Sequence, residues 1–257
     1  MRDSVQILST RVRPMRVDEA VRLVCQWATG RVARAVCAGN VHMLMEAHNN
    51  PGFAGTLAAA DLIVCDGRPL VWAARLQGFR DAHQCRGLDL MMAVCKLARS
   101  DGLSIGLYGA EPSVSDEVRR RLQMRYPRLD VTYCWSPPFR ELTRDEDAAV
   151  VEDLLDVGPD ILFVSLGCPR QELWMLAHRD QLHCVMLGVG AAFDMIAGRV
   201  AVAPRWMQRA GLEWVFRLAY EPGRLWRRYA RHNSAFVALI ILQELHVAVR
   251  RVLSSGD

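Results

Sequence analysis

Short, largely apolar runs of four to six residues recur along the chain: Ala33–Ala38, Leu62–Cys65, Leu103–Tyr108, Ile161–Leu166 and Cys184–Leu187. Such a run is too short for a buried helix and has no polar side to turn to water. It suits a strand covered on both faces. Between the runs lie segments of helical periodicity: Val17–Ala28, a stretch through His48, Pro69–Leu76, Leu88–Ala98, Ser113–Arg125, Asp145–Leu155 and Glu172–His178. Val5–Val12 and Asp130–Cys134 read as further strands. The alternation predicts an α/β fold, with a mostly parallel, Rossmann-like sheet flanked by helices.

The pattern changes after Gly198. Eight arginines fall between Arg199 and His232, opposed only by Glu213 and Glu221 and interleaved with Trp206, Trp214, Phe216, Trp226 and Tyr229. Residues 1–198 are read as an α/β catalytic domain and 199–257 as an arginine-rich helical appendage. Lys96 is the only lysine. That excludes a phosphate-loop lysine, and arginine's rigid fork suits phosphate. The longest uncharged apolar run near the end, Ala235–Leu242, is too short to span a bilayer, which takes roughly 20 residues. The same stretch to Val249 can pack on the core or touch lipid. No signal peptide is read at the start. Eight cysteines form no CxxC pair, so free buried thiols are expected.

In an open parallel sheet, ligands bind beyond the carboxyl ends of the strands. Asn40, Asp66-Gly67, Gly109, Gly167 to Glu172 and Gly188-Val189-Gly190 each follow an apolar run, so five strand ends are expected on one rim. Asp66 is either a general base, with Gly67 leaving room for ligand, or the cap of the helix that begins near Pro69. Asp194 has the same two readings, with the structural one favoured. Gly188 to Phe193 is a broken dinucleotide fingerprint, weak ground for NAD, but it permits close approach of backbone to phosphate. Asp145-Glu146-Asp147 reads as the charged first turn of a helix and not as a metal motif. His178 and His183 lack metal-ligand spacing, so no zinc site is expected. The arginine-aromatic segment can bind nucleic acid, bind a membrane, or complete a diphosphate site.

Pro159-Asp160-Ile161-Leu162, Gly167-Cys168-Pro169-Arg170-Gln171-Glu172-Leu173-Trp174 and Gly188 to Asp194 with Ala197-Gly198 resemble motifs of the WecG/TagA/CpsF family of glycosyltransferases. So do Ala203-Pro204-Arg205-Trp206, Gly211-Leu212-Glu213-Trp214, Arg217-Leu218, Glu221-Pro222 and Arg224. Ala60-Asp61-Leu62, Asp66-Gly67, Gly87 and Asp89 extend the likeness to nearly everything after Met15. The resemblance implies metal-independent, inverting transfer from a UDP-sugar to a sugar on undecaprenyl diphosphate, without a cofactor or nucleic acid. It implies a bacterial exopolysaccharide or other surface polysaccharide as the product. It places the protein in the cytoplasm, peripheral on the inner face of the plasma membrane, and allows a homo-oligomer. It makes Asp66 the base. Asn40, Gly67, Gly109, Gln171, Glu172, Gly188, Gly190 and Asp194 would line the substrate site, and Arg217, Arg224 and Arg227 would close over the diphosphate. Ala38, Gln84 and Val202 depart from the family pattern. With Val41-His42-Met43 and Trp135 to Phe139, they look more like the xanthan-type, GumM-like branch. Glucose is therefore the favoured donor sugar and N-acetylmannosamine the next. The alternative is a non-enzymatic nucleotide or single-stranded nucleic-acid binding module.

Overall fold

The structure, a computed structural model, describes residues 3–254, except for the side chains of Arg224, Arg228 and residues 248–254. A hairpin, β1 (Val5–Ile7) and β2 (Thr10–Val12), opens the chain, followed by α1 (Val17–Thr29). Then come β3 (Arg34–Gly39), α2 (Val41–Asn49), α3 (Pro51–Leu57), β4 (Leu62–Cys65), α4 (Arg68–Leu76) and α5 (Gly87–Asp101). The middle holds β5 (Ile105–Gly109), α6 (Pro112–Arg125), β6 (Val131–Trp135), α7 (Arg144–Val157), β7 (Ile161–Ser165), α8 (Arg170–His178) and β8 (Val185–Gly188). Short helices α9 (Ala192–Ala197), α10 (Arg205–Ala210) and α11 (Glu213–Tyr220) lead to the long α12 (Pro222–Ser254).

Strands β3 to β8 form one six-stranded sheet in the order β4-β3-β8-β7-β5-β6. Every pairing in it is parallel. Strands β4, β5, β7 and β8 are buried at every residue, the expected signature of strands covered on both faces. One face packs on α2, α3, α4, α7 and α8, through side chains such as Leu44, Phe53, Leu70, Leu154 and Met175. The other packs on α1, α5, α6 and α9, through Val24, Val94, Val118 and Phe193.

Local chemistry sets the element ends. Asn40 and Asn50 cap α2 and α3 by accepting from Met43 N–H and Phe53 N–H. Thr143 and Glu146 form a capping box on α7, and Gly158 ends that helix at φ +58°. The single strand expected over Val5–Val12 is instead the β1–β2 hairpin. Leu8, at φ +53°, turns the chain back. The alternation changes phase there, from Val5 and Ile7 to Thr10 and Val12, with Leu8-Ser9 as the turn. The hairpin runs on to Arg13, whose N–H donates to Ile63 O on the outer strand β4 at 2.8 Å. Helix α3 was also absent from the sequence reading, although Asn50-Pro51 is a strong start signal.

The appendage shares the sheet's core. Phe236 and Ile240 of α12 are 3 % and 5 % exposed and pack into the cluster beneath α2. Gln243 fastens the helix to the hairpin, accepting from Leu8 N–H at 2.9 Å and donating to Gln6 O at 2.9 Å. The opposite side of α12 leaves Val237, Ile241, Leu242 and Leu245 more than half exposed. So, of the 235–249 segment, the described side chains at 235–247 divide between a face that packs on the core and one that faces outward. Among the described residues, no helix is long and apolar enough to cross a membrane.

Because α12 seals the core, Phe236→Ala is expected to lower the stability of the whole protein by about 3 kcal/mol, within one cooperative transition. Chemical denaturation followed by circular dichroism checks this. A separate early transition with an unchanged main one would show that the appendage unfolds independently.

Candidate active site

The sheet order puts the strand-end residues in a spatial sequence that differs from the chain sequence. Along the rim come Asp66 after β4, Asn40 after β3, Gly188 to Gly190 at β8, Gly167 to Gln171 after β7, and Gly109 at β5. All five strand ends therefore lie on one edge. At roughly 4.8 Å per strand, Asp66 and Gly109 are about 19 Å apart. Helices after β3 and β8 depart to opposite faces of the sheet, α2 to one and α9 to the other, which opens a crevice between these neighbours.

Asp66 is half-buried at this crevice. It does not cap α4, whose N-cap is Gly67. Its Oδ1 accepts from the N–H of Gly87, the first residue of α5, at 2.9 Å. The carboxylate thus meets a helix N-terminus supplied by another part of the chain, where orphan donors and the helix dipole favour negative charge. Its backbone is fixed on both sides: Asp66 N–H donates to Gly39 O at 2.8 Å, and Asp66 O accepts from Gln84 Nε2 at 2.7 Å. Burial pushes the carboxyl up to about 6. The Gly87 N–H, Arg217 and Arg86 pull against that, while Glu213 acts in the same upward direction. A carboxylate of this kind is ionised at neutral pH yet basic enough to take a proton.

Three supports surround it. Gly87 sits so close to the β8–α9 turn that a Cβ would lie 3.1 Å from Val189 O, so α5 and that turn are locked together. Asn40 lies beside Gly67, its Cα 3.8 Å from where a Gly67 Cβ would be. Gln171 is 4 % exposed and clamps the turn by accepting from Gly190 N–H at 3.2 Å. Gly190 has φ +53° and open space where a side chain would project, which fits close approach of a ligand to backbone.

Other expected residues are placed differently. Glu172 lies beneath the rim and not on it. It is 1 % exposed, accepts from Gln171 Nε2 at 2.7 Å, and burial raises its pKa. Gly109 has a packing reason to be glycine: its φ is +120°, a Cβ would collide with the Ser165 backbone, and its carbonyl already accepts from Ser115 and Ser136. Asp194 is half-buried in the first turn of α9, and its carbonyl accepts from Arg199 N–H and Val200 N–H. The Asp145-Glu146-Asp147 run is structural. Glu146 closes the α7 cap, and Asp147 accepts from Trp174 Nε1 and pairs with His178 Nε2. All eight cysteines are free, six of them buried.

The appendage reaches the carboxylate through α11. Arg217 is half-buried there, its Nε sealed from solvent with no hydrogen-bond partner. Arg227 instead lies exposed on α12, its guanidinium 5.4 Å from the Trp226 ring. The Arg224 side chain lies outside the described residues.

Several contributors, Arg68 and Arg86 foremost, are not among the residues read from the sequence, whereas Gln84 and Asp89 are. Arg68, Arg75, His83, Gln84, Arg86, Asp89, Gln208 and Arg209 line a cleft at the α4, α5 and α10 junction. Arg86 makes a two-pronged pair with Asp89 at 2.7 and 2.8 Å and reaches Glu213 of α11 at 3.7 Å. Arg68 Nε, like Arg217 Nε, is buried without a partner. Arg68 directly follows Asp66-Gly67 in sequence, a signal that was available. The pairing of Arg86 with Glu213 is non-local and gave none.

The fold is a Rossmann-like parallel sheet with a helix-held carboxylate at its rim and phosphate-compatible arginines in the adjoining cleft. The protein-family description "Glycosyl transferase WecG/TagA/CpsF family" matches residues 5–250. The chain belongs to that family and is a glycosyltransferase. It is 28 % identical over 200 residues to the N-acetylglucosaminyldiphosphoundecaprenol N-acetyl-beta-D-mannosaminyltransferase of Staphylococcus aureus strain MRSA252, covering 77 % of this chain and 75 % of the relative. The same identity and coverage hold for the enzyme of that name from strain NCTC 8325 / PS 47. Family membership sets aside the binding-module alternative. These relatives carry mannosaminyl names, so they lend no support to the glucosyl, GumM-like branch.

Burial of Asp66 predicts a stability cost for its ionised form. Its folded pKa, about 6, lies above the unfolded value near 3.8. Relative to a neutral side chain, wild type therefore loses stability as pH rises from about 4 to above 6. Asp66→Asn is expected to be the more stable protein at pH 8, by about 1–3 kcal/mol, with the gap closing near pH 4. Thermal unfolding of both proteins across that range measures it.

Proposed function

We propose that the protein transfers a hexose or N-acetylhexosamine from a UDP-sugar to a sugar carried on undecaprenyl diphosphate, in assembly of a bacterial surface polysaccharide. The observation that carries this reading is the half-buried Asp66 carboxylate at the rim, whose charged form is favoured by Arg217 of the appendage, an arginine with a buried, partnerless Nε. In this reading Asp66 removes the proton from the acceptor hydroxyl as it attacks the anomeric carbon. The bond to UDP breaks on the opposite side, so configuration inverts. One further negative charge develops on the leaving diphosphate, which already carries two. Arginine forks, Arg68 and Arg217 first, and the N–H groups of the β8–α9 turn would meet that charge where other enzymes use a metal.

Both relatives act, by name, with N-acetylmannosamine on an N-acetylglucosaminyl lipid. That supports a lipid-diphosphate acceptor here and puts N-acetylmannosamine among the donors to test. Glucose is kept in the comparison by Ala38, Gln84 and Val202. Ala38 packs near Gly87, whose Cβ position is 3.4 Å from the Ala38 Cβ, so no hydroxyl reaches the crevice from there. Gln84 places a neutral amide beside Asp66 where the family pattern has a cation.

The appendage fits a membrane surface. Trp206, Tyr220 and Trp226 are 63 %, 66 % and 52 % exposed, and apolar side chains of α12 such as Val237 and Ile241 are exposed as well. Exposed tryptophans among arginines suit an anionic headgroup layer. Docking there would bring the acceptor's diphosphate to Arg217 and limit hydrolysis of the donor by water.

A metal-free donor screen on glucosyl- and N-acetylglucosaminyl-diphospholipids, scored by product mass, tests the assignment. No product from any UDP-sugar on either lipid, in folded protein that binds UDP, would count against it. Asp66→Asn should lower kcat/KM by about 10²- to 10⁴-fold while leaving UDP affinity intact. Wild-type kcat/KM should fall as pH drops through about 6, because the base is then protonated. Arg217→Ala removes a cation that favours the charged carboxylate, so it should move that inflection to higher pH and lower kcat. An inflection that stays in place would separate Arg217 from Asp66.

A further inference from the structure

The seam between α12 and α2 holds two imidazoles and a carboxylate that the transfer chemistry does not use. His42 and Glu46 lie one turn apart on α2, and His232 comes from α12. His42 Nδ1 is 3.2 Å from His232 Nδ1 and 3.6 Å from Glu46 Oε1. His232 Nε2 is 3.9 Å from that same oxygen. The two rings stack, with centroids 5.2 Å apart and planes at 27°. Taking one ligand atom from each residue, all three atoms lie within 4.8 Å of one another.

Zinc bound tetrahedrally at about 2.0–2.1 Å holds its ligand atoms roughly 3.3 Å apart. The two imidazole nitrogens already stand near that separation, and small rotations of the Glu46 and His232 side chains would complete the set. We propose that His42, Glu46 and His232 bind a borderline divalent transition metal, zinc foremost, which clasps the appendage helix to the core. Two imidazoles and a carboxylate select this class of ion over magnesium or calcium, which take all-oxygen shells. His232 is only 9 % exposed, so the site sits at a packed seam and not on an open surface. Three protein ligands leave a fourth position for water.

The site's position gives it a structural consequence. α2 carries Asn40 at its N-cap, two residues before His42 and beside Gly67. A metal here would tie the α12 side of the appendage to the helix that borders the Asp66 crevice. The site departs from the expectation of no metal, which weighed Asp145-Glu146-Asp147, the cysteine spacing, His178 and His183 but not this trio. Its third ligand lies 190 residues from His42 in the chain, so local spacing could not expose it. The inference rests on this geometry and not on the transfer reaction, so its test reads binding directly.

The full-length protein would be stripped with chelator and titrated with cobalt, followed by visible absorption, then with zinc in competition. One equivalent should bind in the micromolar range or tighter, with a tetrahedral cobalt spectrum that zinc abolishes. Zinc at about a hundredfold excess over Kd should raise Tm by roughly 5–10 °C. His232→Asn and Glu46→Gln should each weaken binding by about tenfold or more. In wild-type protein, zinc should also protect His42 and His232 from diethyl pyrocarbonate, read by peptide mass, which needs no variant to fold. Absence of saturable micromolar binding, unchanged affinity in both folded variants, or zinc binding without protection of these two histidines would overturn the proposal.

Discussion

The hydrogen bond from Gly87 N–H to Asp66 Oδ1 joins the end of β4 to the start of α5, across 21 residues of chain. Much of the site is arranged around it. It fixes the carboxylate at a helix N-terminus, which offsets part of the cost of burying negative charge. It draws α5 against Val189, so the β8–α9 turn is positioned by the same contact. Gln171 then holds that turn from the β7 side through Gly190 N–H. The crevice is therefore a linked series of side-chain and backbone contacts and not an assembly of independent loops. Burial still wins the balance at Asp66, whose carboxyl is pushed up to about 6.

Much of this was legible in the sequence, for a physical reason. Strands buried on both faces must be apolar throughout, so β4, β7 and β8 announce themselves, and the polar residues after them are marked as rim residues. Asp66, Asn40, Gln171 and the Gly188–Gly190 turn were all found that way. Pairings between distant segments were not legible. Nothing in the neighbourhood of Asp66 says that Gly87 will donate to it, and nothing near Arg86 points to Glu213. Glu172 shows the opposite failure. Its place after a strand suggested the rim, but α8 starts at Arg170 and turns its side chain under the surface.

The arginine-rich tail is the clearest case of one composition serving several ends. Arg199 is tied to Glu111, the N-cap of α6, and to Ser113 in its first turn, and it secures the point where the appendage leaves the sheet. Arg217, on α11, acts electrostatically on the Asp66 carboxylate and favours its charged form. Arg227 stacks on Trp226 at the exposed surface. Clustering in sequence marked the segment as unusual, but only the helix phases separate anchoring, site and surface arginines.

That separation bears on how the site could close. Helix α12 buries Leu225, Phe236 and Ile240, and it is fastened to the hairpin by Gln243. Moving it would expose core side chains. Helices α10 and α11 have no buried residues. They touch the core chiefly at polar or edge contacts, such as Arg86 with Glu213 and Gly211 against Trp72. A rearrangement over a bound diphosphate would therefore cost least in α10 and α11, with α12 as the fixed post. Arg217 rides on α11, the moving part in this scheme, and its sealed, partnerless Nε is the atom that would gain most from an arriving phosphate.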